Sequence, residues 1–588
     1  MWNRLPYTLA LVLVVASQAG CGAREPSPPR AAPRDELPAL KVAPAPPAPA
    51  PAQVVTLSIV GTSDLHGHVL SDKGKGGLEV FAGYLANLRA ARGKDGGGVV
   101  LVDAGDLFQG TLESNLGEGA VVIEMYNALG YTAATLGNHE FDFGPVGEAT
   151  TPRSAADDPR GALAARIAEA KFPFVSANIV DATTGAPMPW KNLHTGVVVT
   201  VAGVKVGLVG VTTLATPRTT MAANFAGLEV TPLAAAITRE AAALRKNGAQ
   251  VVVAMAHEGG KCSKFDDPHV LDSCDPSEDI MPVLAALAPG TVDALVAGHS
   301  HQGMAHFVHG IPVVQSWANG RVFGRIDLVF DRKSGKVVTT TIFPPQEVVV
   351  GKTYEGAPVV ADAAIAALAA DDLERARALQ EKSLGVTLAD EIQRSYDSES
   401  EEGNLFVDMM LAALPGSDVA ITNGGGLRAD IPAGPLTYGR LYEAYPFDNH
   451  FARVQLTGKQ LRAIVVENLQ KNGGILSLGG VRARAACKAG KIQVELTRAP
   501  GPGKRAGKLV SDADHLEIVT SDFLATGGDK TFAALPAGAI EIIDAPLIRD
   551  AIGAALGRRG GTLRGRDFYD AKQPRLVFDG HRPLTCPH

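Results

Sequence analysis

The sequence predicts an α/β protein built from two large domains. At 588 residues, the chain is longer than one hydrophobic core usually serves. Short runs rich in valine, isoleucine and leucine alternate with amphipathic segments from Val54 to about Phe343. A second series of strand-like and helix-like segments begins near Val386. The net charge of −7 argues against a groove that binds a nucleic-acid polymer through bulk positive charge.

The N-terminus has the pattern of an export signal. Residues 1–20 contain an early arginine, an apolar centre too short to span a bilayer, and small residues before Cys21. This arrangement is similar to a bacterial lipoprotein cleavage box, in which Cys21 becomes lipidated, although Gln18 stands where the box prefers leucine. We expect a signal peptide over residues 1–20, a Pro/Ala-rich tether over 21–53, and a periplasmic or outer-membrane-anchored protein.

Four cysteines follow Cys21, and an exported protein can oxidise them. Cys262 and Cys274 enclose a short polar loop, which favours a disulfide between them. A metal site at this pair is the alternative. Cys487 and Cys586 remain as the second pair.

Six buried strands are predicted in the first domain. They are VVTLSIVG, GVVLVDAG, FVSANIV, VKVGLVGV, QVVVAMAH and VDALVAGH. Helical spacing marks GGLEVFAGYLANLRAAR, GAVVIEMYNALG and LAAAITREAAALRKNG between them. The second domain has predicted strands in SDVAITNGGG, HFARVQLTG and HLEIVTSDFLA, and predicted helices in GNLFVDMMLAALPG and GKQLRAIVVENLQKNG. The alanine-rich stretch APVVADAAIAALAADDLERARALQEKSLG predicts a linker helix, because it lacks sustained heptads.

Polar residues follow the apolar runs of the first domain, where open α/β sheets bind ligands. Each of these short polar stretches, taken alone, is more typical of a loop or of a hydrogen-bonded histidine. Together they predict donors that converge on one edge of one sheet, with pairs such as Asp64 and His66 pointing the same way along an extended segment. Carboxylate, amide and imidazole donors suit divalent ions such as Zn, Mn, Fe or Co. The donors are Asp64, His66, Asp106, Asn138, His139, His257, His299 and His301.

The order of these motifs resembles that of calcineurin-like metallophosphatases and of the exported bacterial 5′-nucleotidase family. The motifs are, in chain order, DLHGH, GD, GNHEFD, His257 and GHSH. The resemblance implies a four-layer αββα metallophosphatase domain over residues 54–345, a linker helix over 346–385 and an α/β 5′-nucleotidase C-terminal domain over 386–588. It also implies one metal held by Asp64, His66, Asp106 and His301, and another held by Asp106, Asn138, His257 and His299. Asp106 would then bridge the two ions.

The same resemblance gives His139 a catalytic role, as donor of a hydrogen bond to the phosphoryl group and stabiliser of the leaving oxygen. Asp142 is expected to orient the imidazole and to favour its protonated form. Glu140 is expected to serve structure. Because two metals can activate water for in-line attack, no serine or cysteine nucleophile is needed.

Two stretches of the second domain, 421–461 and 520–532, are similar to the substrate-binding domain of the same family. Three glycines after a strand allow close backbone approach, and an arginine offers a planar fork for phosphate. The resemblance places Phe447 and Phe523 on the two faces of a nucleobase. Core packing is the alternative for both rings. The implied substrate-binding residues are Asn423, Gly425, Arg428, Phe447, Phe523 and Asp529.

One segment departs from the family pattern. Where a second phosphate-gripping arginine is usual, before GNL, the sequence reads QRSYDSESEEGNL, with three glutamates. Arg394 could reach into the site, but it stands in the wrong register to replace that arginine. A UDP-sugar or a cyclic nucleotide is therefore an alternative to a 5′-monophosphate substrate.

The leading hypothesis is an exported, monomeric, dinuclear-metal phosphohydrolase that cleaves nucleotides to nucleoside and phosphate. The alternative from another class is a surface protein that binds a ligand without turnover. The complete metal set and the pair His139 and Asp142 favour catalysis, because a binding protein needs no acid–base pair.

Overall fold

A computed structural model describes residues 53–147, 149–471, 473–499 and 507–586. The predicted signal peptide, Cys21 and all but the last residue of the predicted tether lie outside the described residues. Within those residues, no helix combines the length and the apolar character needed to cross a membrane.

The first domain is a sandwich of two β-sheets, as the αββα prediction requires. One sheet has seven strands in the spatial order Lys336–Glu347, Val322–Asp331, Val54–Thr62, Gly98–Asp103, Ala133–Thr135, Phe174–Val175 and Leu193–His194. The other has six strands in the order Gly303–Val308, Ile311–Ser316, Ala294–Ala297, Val251–His257, Val204–Thr212 and Gly196–Val201. Buried side chains such as Leu57, Val102, Val253 and Val296 fill the space between the sheets.

Helices cover both outer faces of the sandwich. The apolar faces of Leu78–Asp95, Ala120–Leu129 and Gly161–Glu169 pack in the core outside the seven-stranded sheet, and those of Leu233–Lys246 and Ile280–Ala286 pack outside the six-stranded sheet. The remaining short elements are the helices Leu112–Asn115, Thr216–Thr219 and Ala222–Phe225, the 3₁₀ turn His139–Phe141, and the ribbon of Ile179–Asp181 with Leu228–Val230.

The central strands of each sheet run parallel. Antiparallel strands close both edges of the six-stranded sheet and one edge of the seven-stranded sheet, whose other edge strand, Leu193–His194, is parallel to its neighbour. Four consecutive strands from Gly303 to Glu347 were not among the predicted strands. They form hairpins that return the chain to both sheets. The parallel strands share one carboxyl end, which collects the loops of the candidate site on one side of the sandwich.

The expectation of a single linker helix is wrong. The segment contains a ribbon of Thr353–Tyr354 with Ala357–Pro358, followed by helices Ala363–Leu368 and Ala370–Gln380. The helices are separated at Ala369, which is fully buried in the core of the first domain and has φ −90° and ψ 0°. Anchoring of this alanine in the core therefore breaks the helical run that the composition predicts.

The second domain is built around a five-stranded sheet with an apolar core on each face. Its strands, in spatial order, are Leu476–Gly479, Val419–Asn423, His515–Ser521, His450–Thr457 and Ile540–Leu547. Two smaller sheets contain Gly434–Thr437, Ser383–Leu388 and Gly561–Leu563, and Lys491–Arg498, Val481–Lys488 and Leu576–Val577. The helices are Glu401–Ala413, Tyr438–Ala444, Gly458–Leu469, Asp522–Ala525 and Ile548–Arg559, and the 3₁₀ turns are Gly424–Gly426, Gly528–Lys530, Ala537–Ala539 and Gly565–Asp567.

Both predicted cysteine pairs are disulfides. Cys262 is bonded to Cys274, and Cys487 is bonded to Cys586. The alternative of a metal site at the first pair is therefore not adopted in this structure.

Candidate active site

The predicted metal ligands lie at the carboxyl ends of five strands that belong to two different sheets. Asp64, Asp106 and Asn138 follow strands of the seven-stranded sheet, whereas His257 and His299 end or follow strands of the six-stranded sheet. The expectation of one edge of one sheet is therefore wrong. An apolar run covered by a second sheet has the same composition as one covered by helices, so the sequence does not distinguish the two.

Asp64, His66 and His301 form the first ligand group, with donor atoms within 4.8 Å of one another. Nε2 of His301 lies 3.6 Å from Oδ1 of Asp64 and 3.0 Å from Nε2 of His66. Asp64 and His66 are buried, and His301 is half-buried.

Asp106, His257 and His299 form the second ligand group, again within 4.8 Å. Nε2 of His257 lies 3.1 Å from Oδ2 of Asp106 and 3.2 Å from Nδ1 of His299. The amide oxygen of Asn138 is 3.1 Å from the same Nε2 atom. Asn138 therefore adds a fourth donor to this group.

Asp106 lies between the two ligand groups. Its Oδ2 atom is 3.1 Å from Nε2 of His257 and 3.9 Å from Nε2 of His66. Its Oδ1 atom accepts a hydrogen bond from the backbone N–H of His139 at 2.9 Å. One carboxylate oxygen thus faces both groups, which is the position that a bridging ligand must occupy.

Five of the ligands have left-handed backbone conformations. The φ angles are 53° for Asp64, 50° for His66, 59° for Asp106, 75° for His299 and 54° for His301. The extended geometry expected for the Asp-x-His and His-x-His pairs is therefore wrong, and the two histidines of the latter pair belong to different ligand groups. Such conformations cost of order 1 kcal/mol or more each, and they occur where a functional site requires them.

Backbone carbonyls fix the orientation of two imidazoles. Nδ1 of His66 lies 2.7 Å from the carbonyl of Gln109, and Nδ1 of His257 lies 2.8 Å from the carbonyl of Ala104. A carbonyl only accepts, so each Nδ1 carries the hydrogen, and in the neutral form of each ring Nε2 keeps the lone pair. This tautomer leaves Nε2 available to bind a metal, and the hydrogen bond at Nδ1 orients the ring.

The charge balance of the cluster also suits cations. Burial raises the pKa of Asp64 to about 7. Burial alone would lower the pKa of His257, but the carboxylate of Asp106 outweighs this effect and raises it to about 10. The buried carboxylates thus require nearby positive charge, which divalent cations supply. The tautomers, donor types and charge of the cluster together fit divalent metal ions.

Glu140 holds the backbone beneath the ligands. Its buried carboxylate accepts hydrogen bonds from the N–H groups of Asp106 at 2.9 Å, Leu107 at 2.6 Å and Gly137 at 2.6 Å. A Cβ atom at Gly137 would lie 2.1 Å from Oδ1 of Asp106, so only glycine permits this approach. Glu140 therefore has a structural position, as expected.

His139 and Asp142 are brought together as predicted. Nδ1 of His139 lies 2.5 Å from Oδ2 of Asp142, and both side chains are largely buried. Burial lowers the pKa of His139, but the carboxylates of Asp142 and Asp106 outweigh it and raise the pKa overall. The ring of His139 lies 5.4 Å from that of His66, next to the first ligand group.

The second domain contributes Arg428 and Phe447 to the same place. The Phe447 ring lies 5.8 Å from the His139 ring, and the Arg428 guanidinium lies 5.8 Å from the centre of Phe447. Burial lowers the pKa of His301, and the positive charge of Arg428 lowers it further. Arg428 therefore brings a positive charge from the second domain close to the candidate metal ligands.

Asn423, Phe523 and Asp529 lie together in the second domain. Nδ2 of Asn423 donates to Oδ2 of Asp529 at 2.6 Å. The Phe523 ring covers Gly528, where a Cβ atom would lie 2.6 Å from the ring. Phe523, like Phe447, is only partly buried against its core, so core packing accounts for part of each ring surface. Gly425 is half-buried and follows Asn423 by two residues.

The segment that departs from the family brings an arginine close to Arg428. The Arg394 guanidinium donates to the carbonyl of Leu427 at 3.2 Å. Burial lowers the pKa of Arg428, and the positive charge of Arg394 also lowers it. The loop thus folds back toward Arg428, so Arg394 lies near it although its register in the sequence differs from that of the family's arginine. Glu399 instead accepts one hydrogen bond from the backbone N–H of Arg575 and one from that of Leu576.

Three further residues at the site were not predicted from the sequence. Thr220 donates to Asp142, and the Gln109 amide donates to the carbonyl of Pro446 in the second domain at 3.0 Å. Tyr396 is 53% exposed and approaches the position of a Cβ atom at Gly425 to 3.7 Å. Tyr396 could have been noticed as the aromatic residue of the departing segment. The contacts of Thr220 and Gln109 join distant parts of the chain and leave no local sequence pattern.

Two family models match the chain. Residues 57–303 match calcineurin-like phosphoesterases, and residues 381–537 match the C-terminal domain of 5′-nucleotidases. The fold and the site thus define a two-domain protein with a metallophosphatase domain. The chain belongs to the 5′-nucleotidase family, in which these two domains are combined.

Several proteins of known sequence or structure are similar to the chain. It is 28% identical over 433 residues to "Endonuclease YhcR" of Bacillus subtilis, a match that covers 71% of this chain and 33% of that protein. It is 26% identical over 532 residues to a 5′-nucleotidase of Diplobatis ommata, covering 80% of this chain and 82% of that one. The crystal structure of a 5′-nucleotidase precursor from Thermus thermophilus has a TM-score of 0.68 at 24% identity, covering 89% of this chain and 99% of that one. This last similarity supports the fold.

Proposed function

We propose that this protein is a dinuclear-metal phosphohydrolase that cleaves nucleotides to nucleoside and phosphate. The observation that carries the proposal is the position of Asp106, whose Oδ2 atom faces both His257 and His66. His139 and Arg428 flank the same cluster from the two domains.

Each ion would have four protein ligands. Asp64, His66, Asp106 and His301 would hold one, and Asp106, Asn138, His257 and His299 would hold the other. When bound, two divalent cations supply Lewis-acid activation of a phosphoester and of the attacking water. Zn, Mn, Co and Fe are all compatible with this mixture of nitrogen and oxygen donors.

His139 would act on the phosphoryl group and the leaving oxygen. Its Nδ1 atom is engaged by Asp142 at 2.5 Å, which leaves Nε2 as the group that can donate to substrate. Arg428 would neutralise phosphate charge on the side of the second domain, and the proximity of Arg394 supports a site with two arginines for phosphate.

The nucleoside would lie on the second domain. Phe447 and Phe523 would stack on the base, which tolerates different bases because every base offers an aromatic face. Asp529 would accept hydrogen bonds from ribose hydroxyls, and Asn423 and Gly425 would contact the substrate beside it. The half-exposed state of both rings supports this assignment.

We also propose that the protein is exported, is anchored through lipidated Cys21, and acts as a monomer. The support is the N-terminal sequence, with its apolar centre, its small residues before Cys21 and the Pro/Ala-rich tether. Intact-mass and lipid-labelling measurements on the parent and on Cys21→Ser test the anchor.

A phosphate-release panel tests the proposed activity. The purified protein, loaded with Mn or Zn, is given 5′-monophosphates, UDP-sugars, cyclic nucleotides and an aryl phosphate. The proposal expects the highest kcat/KM for nucleoside 5′-monophosphates. Turnover of UDP-sugars or cyclic nucleotides alone would replace the substrate assignment, and absence of turnover with tight ligand binding would make the protein a binding protein.

A further inference from the structure

Segment 219–224 of the first domain is bonded to the loop that carries His139. The side-chain amide of Asn138 donates to the carbonyl of Thr219 at 3.0 Å, so the amide oxygen remains directed at His257. The hydroxyl of Thr220 donates to Oδ1 of Asp142 at 2.9 Å.

The side chain of Asn224 completes this attachment. The side-chain amide of Asn224 donates to the carbonyl of Phe141 and to the carbonyl of Thr150, both at 2.9 Å. Asn224 and Thr220 are almost fully buried. One short segment therefore supports three residues of the loop by hydrogen bonds that water cannot easily replace.

Thr220 has the most direct connection to chemistry. Within the described residues, the carboxylate of Asp142 accepts side-chain hydrogen bonds from Thr220 through Oδ1 and from His139 through Oδ2. The terminal torsion of an aspartate is intrinsically broad, so a carboxylate with one bond rotates more freely than a carboxylate with two. The Thr220 hydroxyl thus gives the carboxylate a second attachment, on the oxygen opposite the one that meets the imidazole.

The same segment contacts the second domain. Nδ2 of Asn449 lies 3.7 Å from Sδ of Met221, which adjoins Thr220. Asn449 also donates to Oδ1 of Asp522 at 2.9 Å, and Asp522 accepts from the backbone N–H of Phe523 at 2.8 Å. A chain of contacts therefore runs from the helix Asp522–Ala525, which carries Phe523, to Met221 beside Thr220.

We propose that Thr220 is a positioning residue for phosphoester cleavage, because its hydroxyl holds Asp142 in the orientation from which Asp142 aligns His139. This inference rests on the proposed role of His139. A contact of this kind, one shell away from the reacting groups, typically contributes about 10-fold to 100-fold to activity.

The test compares Thr220→Val, which removes the hydroxyl at similar volume, with Thr220→Ser, which retains it. Phosphate release from a nucleoside monophosphate is measured together with bound metal and thermal unfolding. We expect Thr220→Val to lower kcat by about 10-fold or more with KM and metal content near those of the parent. Thr220→Ser should restore most of kcat.

Thr216→Val is the matched control. Thr216 is equally buried in the same region and donates to the carbonyl of Thr213 at 2.8 Å, without contact to Asp142. The Thr216→Val variant should retain the parent kcat even if its unfolding temperature falls as much as that of Thr220→Val. If Thr220→Val does not fold, Thr220→Ala removes the same hydroxyl from a smaller side chain.

The variant His139→Ala distinguishes a failure of the inference about Thr220 from a failure of the proposed role of His139. If His139→Ala lowers kcat but Thr220→Val does not, the inference about Thr220 is overturned and the role of His139 stands. If His139→Ala retains the parent kcat, both are overturned. In the His139→Ala background, Thr220→Val should lower kcat by less than about twofold further, and a full additional loss would show that Thr220 acts elsewhere.

Discussion

The rings of His139 and Phe447 lie 5.8 Å apart, although the two residues belong to different domains. The first is next to the metal ligands, and the second lies below the guanidinium of Arg428. The candidate site therefore requires both domains in contact. Hydrogen bonds from Gln109 and Asn115 to the carbonyl of Pro446 hold the adjoining loops together.

Replacement of His139 by alanine should separate catalysis from metal binding. His139 is next to a ligand but directs its Nδ1 atom to Asp142. We expect kcat to fall by about 10²-fold or more, because the leaving oxygen loses its donor. Metal content, measured by inductively coupled plasma mass spectrometry, should stay near the parent value. Loss of metal in proportion to activity would instead identify His139 as a ligand.

Replacement of both Phe447 and Phe523 by alanine should weaken nucleotide binding selectively. Stacking on aromatic rings contributes about 1 to 3 kcal/mol per base, so KM for nucleotides should rise by about tenfold or more. The KM for an aryl phosphate serves as the internal control and should change little. If the variant discriminates among nucleotides as the parent does, the two rings belong only to the core.

Replacement of Glu140 by alanine should destabilise the metal loop. The three N–H groups of Asp106, Leu107 and Gly137 would lose their acceptor in a buried place. Each unsatisfied buried donor costs about 1 to 3 kcal/mol, so the unfolding temperature of the first domain should drop clearly. Glu374→Ala, at an exposed helical position, is the control and should leave it unchanged. An unchanged unfolding temperature for Glu140→Ala would contradict the structural role.

The candidate metal-binding residues could be singled out in the sequence because they follow apolar runs that end a strand. Parallel strands share one carboxyl end, so residues as distant as Asp64 and His299 are expected to meet. The division of these strands between two sheets could not be predicted. The run that precedes His257 is apolar on both faces, and such a pattern does not specify whether helices or another sheet cover it.

The features that could not be predicted from the sequence depend on contacts between segments that are distant along the chain. Arg394 approaches Arg428 only because a loop folds back, and register counting along the chain cannot detect this. Thr220 meets Asp142 across 78 residues of chain. The break at Ala369 likewise depends on packing against the first domain rather than on helical propensity.

The direct test of the central claim is the metal content of Asp106→Ala, measured with phosphate release from a nucleoside monophosphate. Asp371→Ala, which removes an exposed carboxylate on the helix Ala370–Gln380, is the control and should match the parent. Because one carboxylate faces both ligand groups, we expect Asp106→Ala to bind one ion or none and to lose turnover. Retention of two ions and of full turnover by Asp106→Ala would contradict the dinuclear site.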